Sequence, residues 1–263
     1  MVIKLNKDNI IDCPILIATS DGYLELLKPF SYLFNEFWSA KQPVTILGYK
    51  SPTFDLPSNF TFESLGEQRG IQFWAEDIKK YLCDLKDEYF IYSAEDLFLT
   101  RPVNFESLKT LLRFWHTEDL NLARIGLGNT VRNEEHTHVK KTDNCDIIIQ
   151  NQVSNHRISL QWSLWNKKYF IKHLHEGYSQ WDFEVKNMRD CCNDGFTVFG
   201  SYNNFPLGHC NALQSVGNIS SINSYQSNSS KLNFTDTTSG LIMEDKYIQK
   251  LLKLNLINNK CLI

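Results

Sequence analysis

The chain has 263 residues, 42% of them apolar and 22% charged, with 27 Lys and Arg against 30 Asp and Glu. That mix predicts a folded chain with a real core and excludes an intrinsically disordered one. A net charge of −3 leaves no basic excess to neutralise a phosphate backbone, which argues against a nucleic-acid partner but not against a single bound nucleotide.

In chain order, Pro14 to Ser20 is a short apolar run, the pattern of a buried strand. Tyr23 to Trp38 has helical spacing, with Pro29 expected to kink or break it. Pro43–Gly48 and Phe60–Leu65 read as strands, and Trp74–Leu85 as an amphipathic helix. Glu88–Ser93 is a fourth strand running straight into Ala94-Glu95-Asp96. Asn104 is placed to cap a helix reaching Trp115, and Asn121–Ile125 is a further strand.

The second half is less regular. Gly128–Asn144 reads as an excursion loop or hairpin. Cys145–Gln150, Arg157–Trp162 and Phe196–Ser201 read as strands, and Asn166–Leu174, Gln180–Met188 and Glu244–Leu254 as helices. Residues 214–240 are rich in Ser and Asn and read as a loop that could order over a bound ligand. Strand and helix alternate in the first half, which predicts an α/β fold: a mixed, mostly parallel Rossmann-like sheet flanked by helices. One domain over 1–263 is expected, with a regular half at about 14–115 and a less regular half at about 116–263. Ligands in such sheets bind beyond the carboxyl ends of the strands, so Thr19-Ser20-Asp21 and Ala94-Glu95-Asp96 are candidates for one crevice.

Seven cysteines occur with no C-x-x-C pair, which predicts free thiols in a reducing compartment rather than a zinc site. No apolar run approaches the roughly 20 residues of a membrane span. The first residues lack a signal peptide's apolar region, so a cytoplasmic location is expected.

Two acidic motifs carry the chemistry. Glu95 and Asp96 emerge where a buried strand ends; hard oxygen ligands there suit Mg²⁺ or Mn²⁺, while a solvated strand end would also explain them. Gln180-Trp181-Asp182-Phe183-Glu184 sets two acids among aromatic rings. One can cap a helix while the other projects into a pocket, where desolvation favours a base. An N-cap with two core aromatics is the plainer reading of the same residues. His136-x-His138 could chelate a metal or stand in solvent, and His209 could reach a metal at Asp96 or be a structural histidine.

Taken in order, these segments resemble a GT-A fold glycosyltransferase, most of all the small ones of viruses and aquatic bacteria. The likeness lies in Ile15–Tyr23, Trp74 with Asp77, Tyr89–Phe98, Ile158–Trp165 and Trp181–Glu184, and spans about residues 14–210. It implies transfer of a sugar from a nucleotide-sugar, UDP-linked on fold analogy, to an acceptor hydroxyl, metal-assisted and inverting. Thr19, Asp21, Tyr23, Trp74, Asp77, Glu95 and Asp96 would hold the donor. Asp96 and His209 would hold Mn²⁺ or Mg²⁺. Asp182 would be the base, with Glu184 second. Gln161, Trp162, Trp165 and Trp181 would line the acceptor pocket. The first acid of the family's usual metal motif is Ala94 here, which keeps a degenerate nucleotide- or glycan-binding module as the alternative. A nucleotidyltransferase ranks behind both, because Thr19-Ser-Asp-Gly22 has no basic residue for a phosphate loop. For a viral chain, the compartment would be the host cytoplasm.

Overall fold

A computed structural model of the chain describes residues 3–213 and 232–258. Strand β1 (Ile15–Ala18) is buried throughout, as its continuous apolar run requires. Helix α1 (Leu27–Phe34) follows, entered by a 3₁₀ turn and left through a π turn at Asn35–Ser39. Pro29 does not break it: it is the third helical residue, where a missing N–H costs no intrahelical bond. Next come β2 (Val44–Gly48), β3 (Phe60–Ser64), α2 (Trp74–Asp84), β4 (Tyr89–Ala94) and β5 (Leu97–Leu99). Asn104 caps α3 (Phe105–Glu118), its side chain accepting from Ser107 N at 3.1 Å. Then follow β6 (Leu122–Gly126), β7 (His136–Lys141), β8 (Asp146–Gln150), β9 (Ser163–Asn166), α4 (Lys167–Lys172) and α5 (Gln180–Lys186). The chain continues through β10 (Thr197–Ser201), β11 (His209–Asn211) and α6 (Asp245–Lys253).

Among the described residues, nine strands form one sheet in the order β3-β2-β1-β4-β9-β6-β10-β8-β7. Only β8 and β9 run against the rest, so the sheet is mixed and mostly parallel. Alternation along the strands divides the core. Ile15 and Ile17 face one cluster with α1, α3 and α6; Leu16 and Ala18 face another with α2, α4 and α5. The first cluster holds a stack of aromatic rings, with Phe30 and Trp162 parallel at 6.1 Å and Phe34 and Trp38 at 5.3 Å.

In the second half the hairpin alternative is realised and one expectation changes. The polar stretch before Asn144 supplies β7, paired antiparallel with β8 as a hairpin at the sheet edge. Arg157–Trp162 is not a strand; the strand begins one residue later, at Ser163. The reason is Arg157, whose buried guanidinium donates to the carbonyls of Cys191, Gln150, Asn151 and Phe196 at 2.6–3.3 Å and to Asp194 at 3.4 Å. Those bonds hold the backbone off the sheet and leave 157–162 as a connecting segment. The cysteines of the described residues are free, most of them buried, with Cys83 exposed. No helix among the described residues is long and apolar enough to cross a membrane.

Candidate active site

The strand order fixes where a ligand fits. From β1 the chain moves outward to β2 and β3, then returns to β4 on the other side of β1. The order reverses between β1 and β4, which pair in parallel with Ala18 opposite Ala94. The crevice beyond their carboxyl ends is a topological switch point, the place where open α/β sheets bind ligands. The residues that leave these two strands are Thr19–Tyr23 and Glu95–Asp96.

They meet there. Glu95 N donates to Ala18 O at 3.1 Å, and Thr19 Oγ1 donates to Glu95 Oε1 at 3.2 Å. Burial pushes the Glu95 carboxyl well above the usual carboxylate range, and the neighbouring Asp96 pushes it further. Asp96, less enclosed, is raised to about 6 by the same desolvation. The Tyr23 phenol is also raised, first by burial and then by the charges of Glu95 and Asp96, which places it beside both acids. Asp21 and Asp77 lie further out. Asp21 accepts from Lys50 N at 2.9 Å; Asp77 pairs with Arg69 Nη2 at 2.6 Å and faces the Tyr49 phenol. Trp74 begins α2 as a buried residue whose indole faces the Tyr92 hydroxyl.

On the far wall, β11 pairs with β5 directly after the acids, with Asn211 opposite Leu97. Ala212 N donates to Asp96 O at 2.7 Å. Oriented to satisfy its neighbours, the Asn211 amide donates to Asp96 Oδ2 at 3.2 Å and to Leu213 O at 3.1 Å. The expected partner, His209, is two residues back on the same strand face, a step of about 7 Å. It is fully buried, its Nε2 donating to Gln161 Oε1 at 3.2 Å, and burial lowers its pKa to about 4. It is thus a neutral imidazole packed on Gln161, and the side chain that touches Asp96 is Asn211.

The two acids of α5 separate sharply. Asp182 closes a capping box with Ser179 and pairs with Lys186 at 2.8 Å. The Lys186 bond first, then the Ser179 bonds, bring its pKa to about 2. That is the wrong direction for the base expected at this residue, because a carboxylate so well solvated by donors holds a proton weakly. Glu184 is largely buried and raised by desolvation, although Leu160 N donates to its Oε1 at 2.6 Å and Arg124 lies near. Burial raises the Tyr92 phenol, and the charges of Glu95 and Glu184 raise it further.

The acceptor aromatics divide too. Trp162 and Trp165 are fully buried core residues rather than pocket walls: Trp162 Nε1 donates to Leu97 O at 2.9 Å, and Trp165 packs on Phe170 and Phe183. Trp181 is 68% exposed at the start of α5. Gln161 belongs to the segment 159–162, which ties Glu184, through Leu160, to His209. Sequence reading missed Asn211 and Arg124. Arg124 is fully buried, and its donors go to Arg157 O, His156 O, Ser163 Oγ and Thr130 Oγ1 at 2.8–3.4 Å. Position within a strand otherwise read as apolar was its one sequence signal. The first part of 214–240, through residue 231, lies outside the described residues; its end, around Asp236, bonds to Thr100 Oγ1 at 2.8 Å.

Among the described residues, no three His, Cys, Asp or Glu side chains gather into a metal cage. Asp96 offers one carboxylate, a donor that fits Mg²⁺ or Mn²⁺ when water and substrate phosphate fill the remaining positions, and the Asn211 amide that donates to it holds that carboxylate in place.

No family model and no curated protein matches the sequence. Among solved structures the chain is similar to a mannosyltransferase from Pyrobaculum calidifontis in complex with GDP-Man and Mn²⁺, at 11% identity and TM-score 0.42, over 71% of this chain and 53% of that one. It is similar to the galactosyltransferase LgtC with donor and acceptor sugar analogues, at 11% identity and TM-score 0.39, over 70% and 72%. It is also similar to UDP-glucose pyrophosphorylase with UDP-glucose, at 8% identity and TM-score 0.41, over 75% and 92%. The chain spans about half the length of the first of these. Likeness at this level assigns neither family nor activity to the chain.

Proposed function

We propose that the chain is a glycosyltransferase that takes a sugar from a nucleotide-sugar, with a UDP-sugar the first choice, and passes it to an acceptor hydroxyl. The observation that carries the reading is the meeting of Thr19, Tyr23, Glu95 and Asp96 at the β1–β4 switch point, with Glu184 a second, desolvated carboxylate. The segments Ile15–Tyr23 and Tyr89–Phe98, which resemble GT-A donor-binding motifs, are the ones that build this crevice.

In this reading the donor's nucleoside lies along Thr19–Tyr23, with the Tyr23 ring beside its ribose and Asp21 and Asp77 at the outer rim. Asp96, held by the Asn211 amide, would bind Mg²⁺ or Mn²⁺, which would offset the charge of the leaving diphosphate. Glu95, nearly sealed and bonded to Thr19, holds the loop that follows β1 in place. Glu184 accepts the acceptor proton as the hydroxyl attacks the anomeric carbon. Its burial keeps its pKa high enough to take a proton, and the Leu160 N–H fixes its orientation. A single base and attack opposite the leaving group invert the anomeric centre. Trp181, exposed at the edge of α5, offers an aromatic face to an acceptor sugar.

A donor turnover assay on the purified chain, with UDP- and GDP-sugars and Mn²⁺, tests this. Wild type should release nucleoside diphosphate, and Glu184→Gln and Asp96→Asn should each lose it. One feature favours a binding module instead: Ala94 stands where the family's motif has its first acid. Nucleotide binding with no turnover of any donor would decide for that reading.

A further inference from the structure

The outer edge of the sheet, far along the strand order from the crevice, carries a second cluster of chemical interest. β7 is an edge strand, and His136 and His138 lie on it two residues apart, so both project from the same face. Their ring centres are 5.4 Å apart. Two imidazoles bound to one ion at a tetrahedral angle, with metal–nitrogen bonds of about 2.0–2.1 Å, hold their ring centres about 5 Å apart. Tyr202, which follows β10, packs against both rings at 5.6 and 4.7 Å and forms a third side.

The tautomer of His136 also fits. Its Nδ1 lies 2.7 Å from Glu134 O. A carbonyl only accepts, so Nδ1 carries the proton and Nε2 keeps its lone pair. An outer-shell carbonyl on the other ring nitrogen is the usual support of a metal-bound histidine. The His138 ring is exposed. The nearest cation along the strand, Lys140, lies over the Phe114 ring at 5.9 Å from its centre.

We propose that His136 and His138 form a two-imidazole site for a late first-row divalent cation, Zn²⁺, Ni²⁺ or Cu²⁺, with open positions left for water or an outside donor. Nitrogen ligands favour these ions over Mg²⁺ and Mn²⁺, so the site differs in metal choice from the oxygen donors at Asp96.

Calorimetric titration of the whole chain with Ni²⁺ tests this, on wild type, His136→Ala, His138→Ala and Asp96→Asn. Wild type and Asp96→Asn should bind one equivalent that excess Mg²⁺ does not displace. Each histidine variant should weaken that equivalent at least about tenfold. The metal-free thermal midpoints of the histidine variants should match wild type, because both side chains sit at an open sheet edge; His138→Gln serves as a second variant should His138→Ala unfold. Equal Ni²⁺ binding by wild type and both histidine variants, or no Ni²⁺ equivalent in wild type, would overturn the proposal.

Discussion

Asp182 and Glu184 are two residues apart, and their surroundings push them in opposite directions. Asp182 spends its oxygens on the α5 cap and Lys186; Glu184 turns inward and is desolvated. Glu184→Gln should therefore lower donor turnover by about 10²–10⁴-fold, the usual contribution of a general base. Asp182→Asn should leave the turnover rate near wild type; comparing kcat for the two variants checks this, and the reverse ranking would return the base role to Asp182. Asp96 gives a pH prediction. Its folded pKa of about 6 lies above the value near 4 of an unfolded aspartate. Between those values the folded chain keeps a proton that the unfolded chain has lost, so stability from this group falls as pH rises from about 4 to about 6. Denaturant unfolding at pH 4, 5 and 6 should show that fall, and Asp96→Asn should lessen it. Both acidic motifs were legible in the sequence. Which acid of the second one is desolvated was not, because that depends on how α5 docks against Leu160, a contact between residues 24 apart.

At the scale of elements, the first half was legible because each strand is a short apolar run and each helix has a clean stripe. β1, β2, β3 and β4 fall where the runs fall. The second half was harder to read because buried polar groups shape it. Arg157, inside a stretch with strand periodicity, removes 157–162 from the sheet by bonding to carbonyls that only the fold brings near. Trp162 and Trp165 could not be told from pocket residues in the sequence, since an aromatic ring suits either place. The cap on α5 gives a stability prediction: Ser179→Ala should cost about 1 kcal/mol, read as a lower denaturant midpoint. A second prediction concerns β11. A Cβ at Gly128 would lie 2.6 Å from His209 Cε1 and 3.0 Å from its Nδ1. Gly128→Ala should thus displace the buried imidazole and destabilise the chain by about 1–3 kcal/mol. An unchanged unfolding midpoint would mean that the β6–β7 connection yields without disturbing β11.

On the scale of the whole molecule, the order of nine strands puts a switch point between β1 and β4, and the chain places its most perturbed carboxylates there. Perturbed acids at a ligand crevice are the pattern of a working site, because burial of like charges costs stability that nothing in the fold itself requires. Under the proposed function this crevice binds the diphosphate of a nucleotide-sugar together with a divalent ion. The most direct test is the thermal midpoint of the chain with UDP, GDP, dTDP and CMP, each with and without Mn²⁺, on wild type and Asp96→Ala. A nucleotide at about 100 times its Kd adds roughly 2.7 kcal/mol, which raises the midpoint of a chain this long by about 5 °C. Such a rise is expected for one nucleoside diphosphate, requiring Mn²⁺ and abolished in Asp96→Ala. No shift with any nucleotide, or an equal shift in Asp96→Ala, would contradict it.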